Sequence, residues 1–589
     1  MLIDDGALRF DGSMWRAADD VADLTVPPTI QLLLAARLDR LDAEERAVME
    51  RGAVEGRVFH AGAVTSLVPD GLRAQVRPRL LTLARKELIR PDRPEFAGED
   101  AFRFRHLLIR DAAYHAMPKE QRADLHERFA GWLERAAGDR SDEYIEILAH
   151  HLEQAWRYRR ELGLDDVSTA ALGDRAAVAM RRAADRVTLR ADLPTATHLL
   201  ERAVEMSAGA TQAEIIAELA TVLQEQNRHH EAIAAASRIA EADDPAIRIR
   251  AEMVLVTCSM WVDPAVLYDD VRHRYDRLRE AARVLGSQQL VDRCDLAIGL
   301  LRFLNGDVAE YRRIAEELLP RAHTMGITER RTIGFGFGAS LQWGPEPASE
   351  AASTQDRIEE IYEGSMLGRA RAQLPRLVLR SMADDQAGFD EASATLTALQ
   401  AEVGDPALPL LHAQTQLEAM FRLGRIEDAI AWGLEAKREY DRVGETGANS
   451  TLTALTAYYA AVAGSLELAD RLIDDARSLA SDDDFAAHVP IAWTAALLAS
   501  ARGEHARALD ETGRALEMIR PTQYFTFEAE TQLVRGTVLR AATRAAEAEA
   551  AFDAAHEMFA RKEDLASAHR VAEARAGRRP PPSTESLDT

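Results

Sequence analysis

The feature that most constrains the fold of this chain is a pattern of small residues that recurs in its C-terminal two-thirds. Each copy has a small residue, a usually bulkier residue four positions later, and a small or apolar residue three positions after that. The copies are Ala196, Leu200, Ala203; Ala232, Ala236, Ile239; Ala429, Gly433, Ala436; Ala469, Ile473, Ala476; Ala508, Thr512, Ala515; and Ala548, Phe552, Ala555. These positions let two helices approach each other closely.

The spacing between copies is nearly constant. Neighbouring copies are 36, 40, 39 and 40 residues apart for the pairs Ala196–Ala232, Ala429–Ala469, Ala469–Ala508 and Ala508–Ala548. The 197 residues from Ala232 to Ala429 match five more units, one of them marked weakly by Ala392. Small residues at this period predict a tetratricopeptide-type α-solenoid, in which each repeat is a helical hairpin.

Composition agrees with an all-α protein, because Ala, Leu, Glu and Arg dominate and Gly and Pro are mainly at turns. Lys and Arg number 72 against 97 Asp and Glu, which gives a net charge of −25. An acidic surface repels phosphate backbones and argues against general nucleic-acid binding. Arg103, Arg105 and Arg110 could form a local basic patch; the alternative is a solvated face with structural ion pairs.

The predicted compartment is the cytoplasm. Cys258 and Cys294 are too few for a disulfide framework and lack CxxC spacing, so we expect buried free thiols. Residues 1–16 show no basic segment followed by an apolar run, so no signal peptide is predicted. No run of about 18 apolar residues occurs, so no membrane span is predicted.

A different kind of domain is predicted before the repeats. Predicted helices cover residues 28–41, 41–56, 61–67, 76–86, 106–117 and 119–136, and predicted strands cover 87–92 and 101–106. Asp42 is the expected N-cap of the second helix. Helices followed by a small hairpin predict a winged-helix-like domain.

The expected order of domains follows. It is an N-terminal segment 1–26, a winged-helix-like domain 27–136, a linking helix 137–171, a solenoid 172–576 and a disordered tail 577–589. Residues 330–356 are rich in Gly and Pro and are expected to form an irregular loop or a short, bent helix.

Sequence signals for chemistry are weak. No Walker A pattern occurs, and the glycines of Gly334–Gly338 lack GxGxxG spacing. His150 and His151 lack a HExxH context, so helix packing is the favoured interpretation. GxSxG is absent, and the carboxylates at 269–270 and 482–484 are explained by helix capping. The prediction is therefore a chain without catalytic residues, resident metal or cofactor.

His106 is the one residue singled out as a candidate. It lies where the predicted strand AFRFR runs into the helix HLLIRDAAY. An ordinary capping or hydrogen-bonding role explains a histidine there, and a second interpretation depends on a family resemblance.

Residues 1–160 resemble one family at the level of motifs. VPPTIQLLLAARLDRL, LARKELIRPD and above all FRHLLIRDAAY, Phe104 to Tyr114, are similar to bacterial signal-transduction ATPases of the STAND class. The resemblance is especially to members fused to a class III adenylate/guanylate cyclase domain. In this family an AAA-type NTPase domain is followed by a winged helix and a tetratricopeptide array. The resemblance implies that 1–26 is the end of an NTPase domain; the alternative is a short N-terminal arm.

The resemblance also implies a role for His106. In related switch ATPases a winged-helix histidine contacts the phosphates of the bound nucleotide, and His106 would be its counterpart. ATP or ADP and Mg²⁺ would then bind only where an NTPase domain is supplied, since the cyclase domain and both Walker motifs are missing here.

Three functions are carried forward. The first is a non-catalytic sensor module that binds a protein, peptide or small inducer on the concave face of the solenoid. The second is a solenoid-bearing transcriptional regulator, and the third, implied by family alone, is part of an adenylate/guanylate cyclase. The resemblance implies a further partner, an NTPase or cyclase domain.

Overall fold

The computed structural model describes residues 8–10, 15–17, 37–96, 98–190, 192–362, 366–403 and 408–577. The chain divides into two compact units, Met1–Arg182 and Ala183–Thr589. The division falls within one helix, Val167–Leu189. Most of the predicted segment 1–26, the predicted helix 28–41 up to residue 36, and the tail from 578 onward lie outside the described residues.

The first unit contains short strands and helices. Its strands are β1 (Leu8–Phe10), β2 (Trp15–Ala17), β3 (Val58–His60), β4 (Ile89–Asp92) and β5 (Ala101–Phe104). Its helices are α1 (Ala43–Glu55), α2 (Ala61–Leu67), α3 (Val76–Arg85), α4 (Leu107–His115), α5 (Lys119–Ala137), α6 (Ile145–Glu161) and most of α7 (Val167–Leu189).

Local signals explain where these elements begin. The Asp42 side chain accepts from the Glu45 amide at 2.8 Å, and Glu45 accepts from the Asp42 amide at 3.2 Å. This reciprocal pair is a capping box, and it confirms Asp42 as the N-cap of α1. Strand β5 pairs antiparallel with both β3 and β4, so the sheet has the order β3-β5-β4.

The second unit is helical throughout its described residues, apart from turns. After α7 its helices are α8 (Leu193–Met206), α9 (Gly209–Glu225), α10 (His229–Ser237), α11 (Pro245–Val262), α12 (Tyr268–Val284), α13 (Gln288–Leu304), α14 (Val308–Leu318), α15 (Ile327–Trp343), α16 (Ala351–Ile361), α17 (Met366–Arg371), α18 (Gln373–Met382), α19 (Gln386–Val403), α20 (Leu408–Arg422), α21 (Ile426–Val443), α22 (Gly447–Ala463), α23 (Leu466–Leu479), α24 (Phe485–Ala501), α25 (His505–Ile519), α26 (Phe525–Ala541), α27 (Ala545–Lys562) and α28 (Leu565–Arg575).

The recurring small residues lie where neighbouring helices pack. All six triplets are buried, on α8, α10, α21, α23, α25 and α27, with Ile239 in the turn just after α10. Between α10 and α21 the second helices of the hairpins are α12, α14, α16 and α19, so the interval holds the five predicted units. The second unit is a tetratricopeptide-type α-solenoid.

The prediction for residues 330–356 was wrong for its first part. Residues 327–343 form one continuous helix, α15, instead of a loop or a short bent helix. Two of its three glycines allow close packing: a Cβ on Gly334 would lie 2.6 Å from the Tyr362 hydroxyl, and one on Gly336 would lie 3.1 Å from the Ala315 Cβ. Tertiary packing therefore outweighs the low helix propensity of glycine here.

Segments of the solenoid that are 214 residues apart are joined to each other. In three places a side chain accepts a hydrogen bond from a backbone amide, and each pair lies 40 residues beyond the preceding one. The pairs are Asp269 to Asp483 (3.2 Å), Ala309 to Gln523 (2.7 Å) and Ser349 to Glu563 (2.7 Å), with the amide named first. Two of these amides belong to the first turns of α12 and α14, where backbone N–H groups lack partners within the helix.

Buried charged and aromatic side chains also connect distant repeats, and we refer to these contacts together as the closure of the solenoid. The Arg422 guanidinium donates to Asp564 at 2.9 Å, and their side chains are 7% and 1% exposed. The Tyr524 ring stacks on Phe303 at 5.2 Å and on Trp343 at 6.1 Å between centroids. The later repeats thus cover the inner side of the earlier ones.

Candidate functional site

His106 is exposed at the junction of β5 and α4. It is the N-cap residue of α4, with extended backbone, and its side chain makes no capping bond. Within the part of the chain that the structure describes, its ring makes no hydrogen bond, ion pair or ring contact. Its carbonyl oxygen accepts from the Ile109 amide at 3.0 Å. The capping role open to a histidine here is therefore filled by its backbone alone.

The rest of the motif from Phe104 to Tyr114 points inward. Phe104, Ile109, Ala113 and Tyr114 are buried, so they hold α4 against the sheet and the neighbouring helices. Only the segment from Arg105 to Leu107 is exposed along it. The motif therefore combines a packed face with a short exposed corner that contains His106.

A hydrogen-bonded series of polar side chains begins at Tyr114, the last residue of this motif. The Tyr114 hydroxyl is 2.7 Å from His126 Nε2 and 3.0 Å from the Tyr158 hydroxyl, and His126 Nδ1 is 2.8 Å from His151 Nδ1. Arg122 donates to the Tyr158 hydroxyl at 3.3 Å. Burial lowers the pKa of His126 to about 3 and lowers that of His151 well below its usual range, so both rings are neutral.

The helix-packing interpretation of His151 fits this geometry, because the ring is 2% exposed and lies 4.4 Å from the Phe129 ring. No sequence pattern signals its pairing with His126, which is 25 residues away on another helix. No described group of His, Cys, Asp and Glu side chains could hold a metal ion.

The basic side chains of the first unit are mostly paired with carboxylates. Arg103 bonds Asp92, Arg105 lies 3.6 Å from Glu87, and Arg110 bonds Asp111 at 3.0 Å. The proposed basic patch is thus a set of ion pairs.

Helix α3, which comes just before the β4–β5 hairpin, is similar. Arg77 bonds Asp100 and Arg79 bonds Glu44, each at 2.5 Å, whereas Arg85 has no ion pair among the described residues. Paired cations release few counterions on meeting DNA, so this surface is poorly suited to phosphate backbones.

The inner face of the solenoid is filled in its later part. Helix α22 is buried continuously from Asn449 to Ala461, and α24 is buried along nearly its whole length. A helix that is buried on every side belongs to a core. Helices α22 and α24 therefore belong to the interior of the unit and offer no open groove themselves, and the concave-face binding site stays a prediction.

Both cysteines are buried free thiols, as predicted. Burial raises the pKa of each thiol to about 12, so neither is a nucleophile at neutral pH. No helix in the described ranges is long and apolar enough to cross a membrane.

Comparisons with known proteins give fold-level matches only. No protein-family model and no curated protein matches the chain. Among solved structures, one is a STAND protein with a tetratricopeptide repeat sensor from Pyrococcus horikoshii, at 12% identity and TM-score 0.31, covering 87% of this chain and 68% of that one. Another is the APC/C hetero-tetramer Cut9–Hcn1, at 13% identity and TM-score 0.34, covering 79% and 94%.

Yeast Tom70 is a third, at 10% identity and TM-score 0.26, covering 77% of this chain and 96% of that one. Identity and TM-score are too low in each case for any property to be transferred. The chain's own helices define its class: an all-α protein whose second unit is a tetratricopeptide-type solenoid.

Proposed function

We propose that this chain is a non-catalytic regulatory module of a signal-transduction ATPase, in which the helical repeats bind a ligand and the first unit transmits that event to an NTPase domain. The observation that carries the proposal is the exposure of His106 within a motif whose other key residues are buried. A side chain that stabilises nothing in its own unit is available for contact with another domain.

The first unit would act as a winged helix. Its order of elements supports this: α1, β3, α2, α3, β4 and β5, with an antiparallel sheet closed by the β4–β5 hairpin. The ion pairs of α3 favour packing against protein over binding to DNA. This distinguishes the proposal from the transcriptional regulator considered above.

The solenoid would act as the ligand-binding arm. Because the later inner face is covered by the chain itself, the ligand would bind the outer helices of the hairpins, or bind where the earlier repeats leave a cavity. A ligand shifts the switch only if it prefers one state of the protein to another.

To test this, the chain is fused to a STAND-type NTPase domain, and the rate at which the fusion releases fluorescent ADP is measured. His106→Ala should speed release by about tenfold or more, as expected for loss of a hydrogen bond to a charged phosphate. His115→Ala is the matched control, since His115 is exposed on the same helix and bonds only the Asp111 carbonyl at 2.7 Å. Equal release rates in the parent protein and the His106 variant would overturn the nucleotide role of His106.

A further inference from the structure

The second unit contains a large open cavity among its earlier repeats. Its volume is about 650 Å³, and it lies between α12, α13, α14 and the turn Leu319–Thr324. Pockets for small organic ligands usually measure roughly 300–1,000 Å³. The cavity is therefore large enough for a small molecule.

Arginine side chains are unusually frequent in its wall. Five of the sixteen lining residues are arginines: Arg279, Arg283, Arg302, Arg313 and Arg321. Four carboxylates share the wall, so the lining carries one excess positive charge. This occurs in a chain with a net charge of −25, where an arginine-rich cavity is a local exception.

Two of the arginines are fixed by carboxylates within the cavity. Arg279 bonds Asp276 at 2.9 Å and Asp295 at 3.2 Å. Arg313 similarly bonds two carboxylates, Glu310 at 2.8 Å and Glu317 at 2.9 Å. These pairs neutralise part of the lining and hold its shape.

Two other arginines keep their charge available. Arg302 is exposed and makes no hydrogen bond or ion pair with any described residue. Its side chain lines the cavity, close enough to Glu310 to help Arg313 lower the pKa of that carboxyl. Arg283 has its nearest carboxylate, Glu280, at 3.7 Å, with both side chains more than half exposed. Such an exposed pair is worth little and is readily exchanged for a ligand.

Four apolar side chains contribute to the lining of the cavity. Val291, Ile298, Ile314 and Leu318 line it, and each is less than 9% exposed. A ligand that fits both surfaces needs an apolar body as well as anionic groups. Guanidinium groups bind carboxylate and phosphate oxygens in a fork geometry that suits such groups.

We propose that this cavity binds a small organic anion with two or more carboxylate or phosphate groups on a compact apolar body, held by Arg302 and Arg283. Two anionic groups match the two lining arginines, Arg302 and Arg283, that make no hydrogen bond to a carboxylate among the described residues. This inference rests on the proposed role of the solenoid as the ligand-binding arm. Its test needs no NTPase domain, so its failure is distinguishable from failure of the His106 test.

The test is calorimetric titration of the full chain with two probes that have an aromatic body, benzene-1,3,5-tricarboxylate and 1,3-phenylene bisphosphate. Benzene-1,3,5-trimethanol and resorcinol serve as uncharged counterparts. We expect at least one anion to bind with a Kd below roughly 1 mM and its uncharged counterpart to show no binding. The probe that binds identifies the anionic group, carboxylate or phosphate.

Variants then locate the site. Arg302→Glu and Arg283→Ala should each weaken binding by about tenfold or more, because each removes a charge-assisted contact. Arg507→Ala is the control, as Arg507 is an exposed arginine, paired with Glu504 at 3.1 Å, on another helix, α25. Absence of binding by both anions, or binding that is equal in the parent and in both cavity variants, would overturn the proposal.

Discussion

The side-chain oxygen of Gln523 accepts a hydrogen bond of 2.7 Å from the backbone amide of Ala309, in a repeat 214 residues earlier. The backbone amide of Gln523 in turn donates to the Gly306 carbonyl at 2.8 Å. A loop between late repeats thus caps a helix of an early repeat. In an open solenoid each repeat contacts only its neighbours, whereas here one part of the array stabilises another directly.

Loss of this cap should be measurable. In Gln523→Ala the Ala309 amide loses its acceptor, and we expect a loss of about 0.5–2 kcal/mol, as for other helix caps. Hydrogen exchange should speed up in the first turn of α14. Glu504→Ala is the control, because Glu504 precedes α25 without a side-chain capping bond. Unchanged exchange at α14 in the Gln523 variant would contradict the capping role.

Two helix glycines allow a matched test of repeat packing. A Cβ on Gly536 would lie 2.7 Å from the ring of Phe552, which is fully buried, whereas a Cβ on Gly513 would meet nothing within 4 Å. Gly536→Ala should therefore lower stability by about 1–3 kcal/mol through overpacking. Gly513→Ala should raise it by about 0.5–1 kcal/mol through helix propensity. Thermal denaturation compares them, and equal shifts would refute the packing assignment.

Buried carboxyl groups should make the second unit sensitive to alkali. Burial raises the pKa of Glu445 to about 8, although Glu445 accepts from the Ala448 and Asn449 amides. A folded pKa above the unfolded one favours the protonated form, so this contribution is full at low pH and is lost as the pH rises towards 8.

Glu445→Gln keeps an acceptor without the charge. The stability of this variant relative to the parent should be higher at about pH 8 than at about pH 5. Hydrogen exchange at the start of α22 measures this difference. Glu439→Gln is the control, since Glu439 is half exposed and pairs with Arg442. A variant whose stability tracks the parent at both values would rule out titration of Glu445.

The first unit should show the opposite dependence at its histidine pair. His126 and His151 have pKa values lowered by burial, so the stability they contribute is present above the ordinary histidine pKa and is lost on acidification. His151→Gln should reduce the acid-induced loss of protection of α5 and α6 between about pH 7 and pH 5, once exchange rates are corrected for the intrinsic effect of pH. His115→Gln should leave it unchanged, and an identical acid response in all three proteins would exclude this linkage.

Local pattern predicted most of the helices and the solenoid class. The repeat period correctly predicts buried packing positions, for example Ala469, Ile473 and Ala476, because close helix packing requires small residues at a fixed interval. Strand β3 was missed, since its three residues are too few to show alternation. Helix α15 was missed because the glycine content of the segment, read locally, signals a turn.

The contacts between early and late repeats could not be predicted from the sequence, for a different reason. Gln523 lies just before α26 and Ala309 lies in the first turn of α14, and no local sequence pattern marks either residue as the partner of the other. The candidate cavity was also not predicted, because Arg283 and Arg302 are ordinary helix-surface arginines until the hairpins bring them to one space. His106 was found only through a family motif and stays a prediction.

The contact between early and late repeats is tested most directly by cross-linking. Ala309→Cys and Gln523→Cys place two exposed thiols at the joined turns, and the native Cys258 and Cys294 are buried. A short bis-maleimide should link the introduced pair within one molecule, rapidly in the native protein and slowly in urea. Peptide mapping should place the link between positions 309 and 523. A native protein that forms this link no faster than the unfolded chain would contradict the closed solenoid.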